Sequence, residues 1–307
     1  MKLLLHTCCA PCSVYCIEEL RSENVEPVLF WYNPNIHPFA EYKNRLETLK
    51  EYSQRINAEL IIDDFYGLDE FVEKVGCSRE SRCVSYCYPV RLKRTFEYAK
   101  EHGFDAVSTT LLYSIYQNHD FIKSYCEKLS VEYGIEFLYR DFRVGFWKGH
   151  DSAIENGLYM QKYCGCIFSE EDRFLYNKKT VPFLPEGFVF PERTALNLKR
   201  ISAGKNEDRY LLIKGEEEIC SAIIVKTDDK TAEIKDLSVF EKYANKNYEQ
   251  RLIKNLCGTL KQKYGKITVS PEPEQIPFFV KLGFDGYEEM SSDGKIVLSV
   301  NLTDGTV

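Results

Sequence analysis

Three groups of cysteines stand out in a chain of 307 residues that carries 12 of them. They are Cys8-Cys9-x-x-Cys12, Cys83-x-x-x-Cys87-Tyr88 and Cys164-Gly165-Cys166. Soft thiolates gathered in this way suit zinc or an iron–sulfur centre better than hard cations, and four at tetrahedral spacing would satisfy a structural zinc ion. Two features favour redox or cluster chemistry. The side chains of adjacent Cys8 and Cys9 diverge, which is awkward for a zinc knuckle. The ring closed by a Cys164–Cys166 disulfide would be small and strained, so that bond would exchange readily rather than staple a fold. Plain burial is the third reading. It is the better one for Cys16, Cys126, Cys220 and Cys257, which sit in helix or strand contexts where a free thiol behaves as a small hydrophobe. Cys77 is close enough to Cys83 to be a spare ligand.

Other polar residues lie near these groups in sequence. His6, Tyr88, Asp141 and Tyr163 are candidate acids, His6 being equally readable as a satisfied buried histidine. Asp141-Phe142-Arg143 offers a carboxylate and a guanidinium to a substrate or metal, or forms a structural ion pair. Thr109, Thr110 and Ser114 could contact ribose or phosphate, or cap a helix. The segment from Arg79 to Lys100 is locally basic, with Arg91, Lys93 and Arg94 as candidate phosphate contacts. A formal charge of −7 argues against a protein that coats nucleic acid non-specifically, but leaves room for such a patch.

These residues need elements to hold them. Leu3–Leu5, Val28–Tyr32, Leu60–Ile62, Ala106–Leu111 and Ile135–Tyr139 read as buried strands. Helical patterns lie between them at about 12–22, 39–56, 68–75, 89–102 and 119–133, with Gly103 and Gly134 as helix stops. The alternation predicts an α/β domain with a mostly parallel sheet, in which ligands bind beyond the carboxyl ends of strands. Cys8, Cys9 and Cys12 follow the first strand and Thr109–Ser114 end the fourth. No apolar run is long enough to span a bilayer and no secretory signal is visible, so a cytoplasmic setting without membrane contact is expected, where thiols stay reduced. Residues 176–197, rich in proline, read as a linker. An antiparallel meander, a helix at about 247–263 and closing strands near 284–289 and 295–301 make a second, smaller α+β domain over 198–307.

The motifs LLLHTCCAPCS, RCVSYCYPVRL, STTLLYSIYQNHDFI, YRDFRVG and LYMQKYCGCIFSEEDRF, in that order, resemble the QueH-type epoxyqueuosine reductases over about residues 1–175. The resemblance implies a Rossmann-like domain of the adenine-nucleotide alpha hydrolase kind. It implies reduction of epoxyqueuosine to queuosine at the wobble position of a tRNA with a GUN-type anticodon. It further implies a [4Fe-4S] cluster, with or without an additional mononuclear iron, and no cobalamin. Carried over by position, Cys8, Cys9, Cys83 and Cys87 are the cluster ligands and Cys164 with Cys166 the redox pair. Three residues separate Cys83 from Cys87 where the family pattern has two, which makes Cys12 or Cys77 an alternative to Cys83. Asp141 and Tyr163 are then candidate catalytic groups, and Arg91, Thr110, Ser114 and Arg143 candidate substrate contacts. Tyr88, Tyr113, Tyr116 and Tyr163 are candidates for base stacking. No flavin or nicotinamide fingerprint is present, so an external donor such as a ferredoxin or flavodoxin is expected.

The second domain resembles GCN5-related N-acetyltransferases, with IKDLSVF as central strand and PFFVKLGFDGYEE closing the fold. Residues 242–249, where a glycine-rich pyrophosphate loop belongs, contain no glycine. A degenerate accessory module follows from that. The rival readings are a zinc-stabilised tRNA-binding protein and acetyl transfer by the second domain.

Overall fold

The computed structural model describes residues 1–76, 78–191, 196–244, 246–287 and 295–302, and the chain divides into two compact units, Met1–Arg193 and Thr194–Val307. Cys77 and Asn245 lie outside the described residues, as do 288–294, on which one expected closing strand partly falls.

In the first unit the five apolar runs become strands β1 (Leu3–His6), β2 (Pro27–Trp31), β3 (Leu60–Ile62), β4 (Ala106–Thr109) and β5 (Glu136–Phe137). Their order is β3-β2-β1-β4-β5 and every pairing is parallel. All residues of β1 and β4 are buried, as expected of central strands covered on both faces. The helices between them are α1 (Ala10–Ser22), α2 (Phe39–Arg55), α3 (Leu68–Val75), α4 (Tyr88–Glu101) and α5 (His119–Tyr133). From β1 the chain winds outward to β2 and β3, then returns to lay β4 on the other side of β1. A crevice therefore opens beyond the carboxyl ends of β1 and β4, and the Cys8-Cys9 loop and Thr110 meet there.

Helix α1 begins at Ala10 rather than Cys12, because extended Cys9 serves as its N-cap and Pro11 stands in its first turn, where a missing N–H costs nothing. Its residues from Ala10 to Ile17 are all buried. Helix α6 (Phe146–Glu155), not visible as a sequence pattern, covers it. That approach requires glycine: a Cβ on Gly145 would lie 2.2 Å from the Tyr15 ring, and one on Gly149 2.7 Å from the Tyr113 hydroxyl. Residues Cys83–Cys87 form a π-helical turn running into α4, a feature often found at functional sites. A short α7 (Ile167–Phe174) follows the Cys-Gly-Cys turn. The proline-rich stretch expected as a linker lies in part along the first unit. Phe183 N–H donates to the Ile115 carbonyl at 2.6 Å, Arg143 Nη1 to the Phe183 carbonyl at 3.1 Å, and Phe190 meets Trp147 edge-on.

The second unit holds β6 (Leu196–Ser202), β7 (Glu207–Lys214), β8 (Glu217–Lys226), β9 (Thr231–Val239), β10 (Lys266–Val269), β11 (Gly286–Tyr287) and β12 (Leu298–Asn301). They form one sheet in the order β11-β12-β10-β9-β8-β7-β6. Only β9 and β10 pair in parallel. Helix α8 (Tyr248–Leu260) buries Leu252, Ile253, Leu256 and Leu260 in this unit's apolar core, and a short α9 (Ile276–Lys281) follows β10. Strand β6 escaped the sequence reading because it is a largely exposed edge strand whose only inward residues, Leu196 and Leu198, are half-buried. Among the described residues no helix is long and apolar enough to cross a membrane.

Candidate active site

Adjacent cysteines at the end of β1 would diverge on a regular strand. Here the chain turns into α1 between them, and Cys8 and Cys9 place their sulfurs 3.8 Å apart. One turn of helix returns Cys12 to the same spot, and the three sulfurs lie within 4.8 Å of one another. Thr110, from the end of β4, receives the Cys8 N–H at 3.2 Å and turns its hydroxyl to the Cys8 sulfur at 3.5 Å. Gln161 Nε2 donates to Cys9 Sγ at 3.1 Å and to Cys12 Sγ at 3.7 Å. Hydrogen bonds from Cys12 and Cys9, helped by Thr110 and the charge of Arg91, hold the Cys8 thiol well below the usual range. Burial pushes Cys9 up, and sharing its proton with Cys8 and Cys9 pushes up Cys12. Cys8 is thus the sulfur of the trio that gives up its proton most readily.

A second thiol group forms where α3, the π-helical turn and α7 meet. Cys87 and Cys166 are buried together with Phe71, Val75 and Tyr86. The hydrogen bond from Cys87 and the nearby Arg82 hold Cys166 down at about 5, while donating that proton pushes Cys87 up. Cys83 is pushed up to about 12 by burial and by the nearness of Cys164 and Cys166. Among the described residues, the group close enough to share one metal ion is Cys8, Cys9 and Cys12. Cys83 and Cys87 sit on a different crossover, where Cys87 turns to Cys166 and Cys83 lies near Cys164 and Cys166.

Arg91 is 3% exposed, donates through Nε to the Cys87 carbonyl at 2.6 Å, and places its charge near Cys8, Cys83 and Cys87. It is a buried cation between the two thiol groups rather than an outward phosphate contact. Asp141 and Arg143 are bound to each other at 2.6 Å and 2.8 Å, and neither lines the cavity described below. His6 bonds Thr109 across the β1–β4 pair at 3.0 Å and is held neutral, down at about 4, by burial and by Arg91.

A cavity of about 680 Å³ opens over the first trio. Its lining includes Cys8, Cys12 and Cys164, the predicted Thr110, Ser114 and Tyr163, the aromatic residues Tyr113, Tyr116, Phe146 and Trp147, and the cations Lys162, Arg173, Lys178 and Lys179. Cys164 is exposed. Gln117 Nε2 donates to its sulfur at 3.4 Å, and Tyr88 fixes that amide by donating to Gln117 Oε1 at 2.8 Å. The Tyr163 hydroxyl is occupied, donating to the His37 carbonyl at 2.8 Å.

Four supporting residues escaped the sequence reading. Arg45 and Glu41 form a buried ion pair at 2.7 Å, and the two Nη atoms of Arg45 donate to the carbonyls of Cys164 and Tyr163, each at 2.9 Å. The pair thereby holds the Cys-Gly-Cys turn. Their i,i+4 spacing signals an ion pair, but not burial. Gln117 and Gln161 lie inside quoted motifs, and nothing in their neighbours marks an amide that serves a sulfur.

The family model for the epoxyqueuosine reductase QueH matches residues 3–172. The chain belongs to the QueH epoxyqueuosine reductase family. It is an oxidoreductase on that ground. Relatives in the family include the epoxyqueuosine reductase QueH of Dehalococcoides mccartyi, 37% identical over 173 residues, 56% of this chain and 94% of that protein. The Thermotoga maritima member is 31% identical over 188 residues, 56% of this chain and 91% of its own. Among solved structures, a GNAT family acetyltransferase from Elizabethkingia anophelis with acetyl-CoA bound is 17% identical, with a TM-score of 0.29, over 34% of this chain and 97% of that one. An IAA acetyltransferase from Bacillus cereus is 18% identical, with a TM-score of 0.29, over 35% and 99%.

Three thiols converging on one point and supplied with an N–H donor make a donor set that fits a soft metal centre.

Proposed function

We propose that the first unit reduces epoxyqueuosine to queuosine in the anticodon of a GUN-type tRNA, in the cytoplasm, with a [4Fe-4S] cluster held by Cys8, Cys9 and Cys12 and without cobalamin. The observation that carries this reading is the convergence of Cys8 and Cys12 of that trio and of Cys164 on one cavity large enough for a single nucleotide. Converting the epoxide to an alkene consumes two electrons and two protons and releases the oxygen as water. When bound, such a cluster supplies electrons singly and a Lewis-acidic pull on the oxygen. The protein's own groups do the rest. Thr110 and Ser114 orient the ribose end, the tyrosines and Trp147 stack on the extruded base, and Gln117 aims the Cys164 thiol into the cavity. Oxidation of the Cys164/Cys166 dithiol to a disulfide releases two electrons and two protons, which matches the demand. A ferredoxin or flavodoxin then restores the dithiol. Residues 1–175 carry this activity, and 198–307 form an accessory module that does not transfer acetyl groups.

The test is anaerobic incubation of the reconstituted protein with epoxyqueuosine-containing tRNA and a chemical reductant, followed by nucleoside mass analysis. Loss of one oxygen atom is expected. Cys164→Ser is expected to abolish turnover while keeping the visible chromophore. A colourless protein that retains stoichiometric zinc after iron–sulfur reconstitution and leaves the nucleoside unchanged would establish a zinc-stabilised tRNA-binding protein instead.

A further inference from the structure

The basic run on and before α4 is the obvious phosphate-binding face in the sequence, yet most of its charges are already engaged. Arg79 pairs with Glu171 and Asp172, and Arg82 reaches Asp172 at 2.9 Å. Arg94 holds Asp63 at 2.7 Å and Glu101 at 3.4 Å, and Lys93 lies 3.7 Å from Glu97. Arg91 is buried. None of them lines the cavity.

The mouth of the cavity is different. Lys162, Arg173 and Lys179 line it and are exposed, and none of them forms an ion pair among the described residues. Lys178 beside them is bound to Asp172 at 3.1 Å. The acidic residues of α7 do not cancel these charges at the mouth: Glu171 and Asp172 are held by Arg79 and Arg82, and Glu170 borders a separate depression with Ile167 and Phe174. In a chain of formal charge −7, three free cations at one opening create a local field of the opposite sign, and such fields steer polyanions. Tyr116, 40% exposed and edge-on to Phe146 at 6.0 Å, adds an aromatic face just inside, the pairing of cations and rings that single strands recognise.

We propose that Lys162, Arg173 and Lys179 hold the backbone phosphates of single-stranded RNA on either side of the nucleotide whose base occupies the cavity. This rests on the tRNA reading above and adds which face the RNA meets: the edge formed by residues 162–179, not α4. A cavity of about 680 Å³ admits one nucleotide and no duplex, so the RNA must present it from a loop.

The experiment measures binding of an unmodified GUN-anticodon tRNA across a salt series. The triple variant Lys162→Ala/Arg173→Ala/Lys179→Ala is compared with Lys93→Ala/Lys100→Ala on α4. Three lost single-strand phosphate contacts reduce the slope of log K against log salt by about 2 and weaken binding roughly 100-fold at 0.1 M salt. The α4 pair is expected to match the wild type. The charge-retaining triple Lys162→Arg/Arg173→Lys/Lys179→Arg keeps the wild-type slope, which a steric effect of the alanines would not predict. Should the alanine triple fold poorly, Lys179→Ala alone lowers the slope by about 0.7. An unchanged slope in the alanine variants, or a loss confined to the α4 pair, overturns the rim assignment. A wild-type protein that binds no tRNA at any salt overturns the tRNA reading itself.

Discussion

The interiors of the two units are built on opposite principles. The first buries His6, Asn33, His37, Glu41, Arg45 and Arg91 among its apolar residues, together with several hydroxyls, whereas the second, among the described residues, buries only Ser221 and Ser299 as polar side chains. Burying polar and charged groups is unfavourable unless each finds a partner, and an apolar interior of the same volume is usually at least as stable. The polar groups of the first unit lie around the ends of β1 and β2 and under the Cys-Gly-Cys turn, where they hold carbonyls and sulfurs in place. The contrast separates a unit whose core is spent on positioning from one whose core is spent on architecture.

The sharpest way to break this contrast is Arg45→Ala, which leaves Glu41 buried without its partner. It is expected to destabilise the first unit by about 3–5 kcal/mol and to remove turnover, measured by denaturant unfolding alongside the nucleoside assay. Glu41→Leu/Arg45→Met should recover most of the stability without the activity, because the carbonyls of Tyr163 and Cys164 remain unheld. Leu256→Ala in the second unit costs a similar 2–5 kcal/mol by cavity formation and should leave turnover intact. Activity surviving Arg45→Ala would mean that the buried pair is architecture after all.

Acid should separate the units next. Both His6 and His37 are held down at about 4, chiefly by burial. As pH falls below 6.5 the unfolded chain takes up these protons while the folded one does not until near 4. Stability is therefore full above 6.5 and drops through that window, on the order of 3 kcal/mol per histidine. All five histidines of the chain lie in the first unit. Unfolding of the metal-free protein followed from pH 7 to pH 4 should show the first unit's transition retreating first, and His37→Gln should flatten that retreat. Equal acid sensitivity of both units would count against the contrast.

The smallest effect concerns Gln161. Its N–H groups face Cys9 and Cys12, and such donors favour the more negatively charged, reduced state of a thiolate-bound centre. Gln161→Leu should lower the midpoint potential of the reconstituted protein by about 40 mV, the equivalent of about 1 kcal/mol for one electron. A potential that does not move would make Gln161 a packing residue.

Much of the frame was legible without coordinates. The five strands of the first unit follow from short apolar runs, and Gly134, in the left-handed conformation at the end of α5, is where the sequence places a stop. Thr110, Ser114, Tyr163 and Cys164 all line the cavity, and in the sequence each follows a strand or adjoins a cysteine group. Helix α6 was not legible, because Gly145 before it and Gly149 within it, which serve close packing on Tyr15 and Tyr113, read in the sequence as helix breakers. Edge strand β6 was missed because its apolar face is reduced to Leu196 and Leu198 amid exposed polar residues.

What the sequence determined by itself was local: the periodicities that make strands and helices, and the strand-end loop that receives Cys8, Cys9 and Cys12, whose spacing lets one turn of helix bring the third sulfur back to the first two. What only the tertiary structure decided was partnership. Cys87 turns to Cys166, Arg91 lies buried between two thiol groups, and Arg45 reaches carbonyls 118 and 119 residues away. Among the described residues, Lys162, Arg173 and Lys179 keep their charges free at the cavity while most of the richer cluster before and along α4 is neutralised. The physical reason is that a side chain's role depends on distance, burial and counter-charge. These are set by how the elements pack, and no local pattern encodes them.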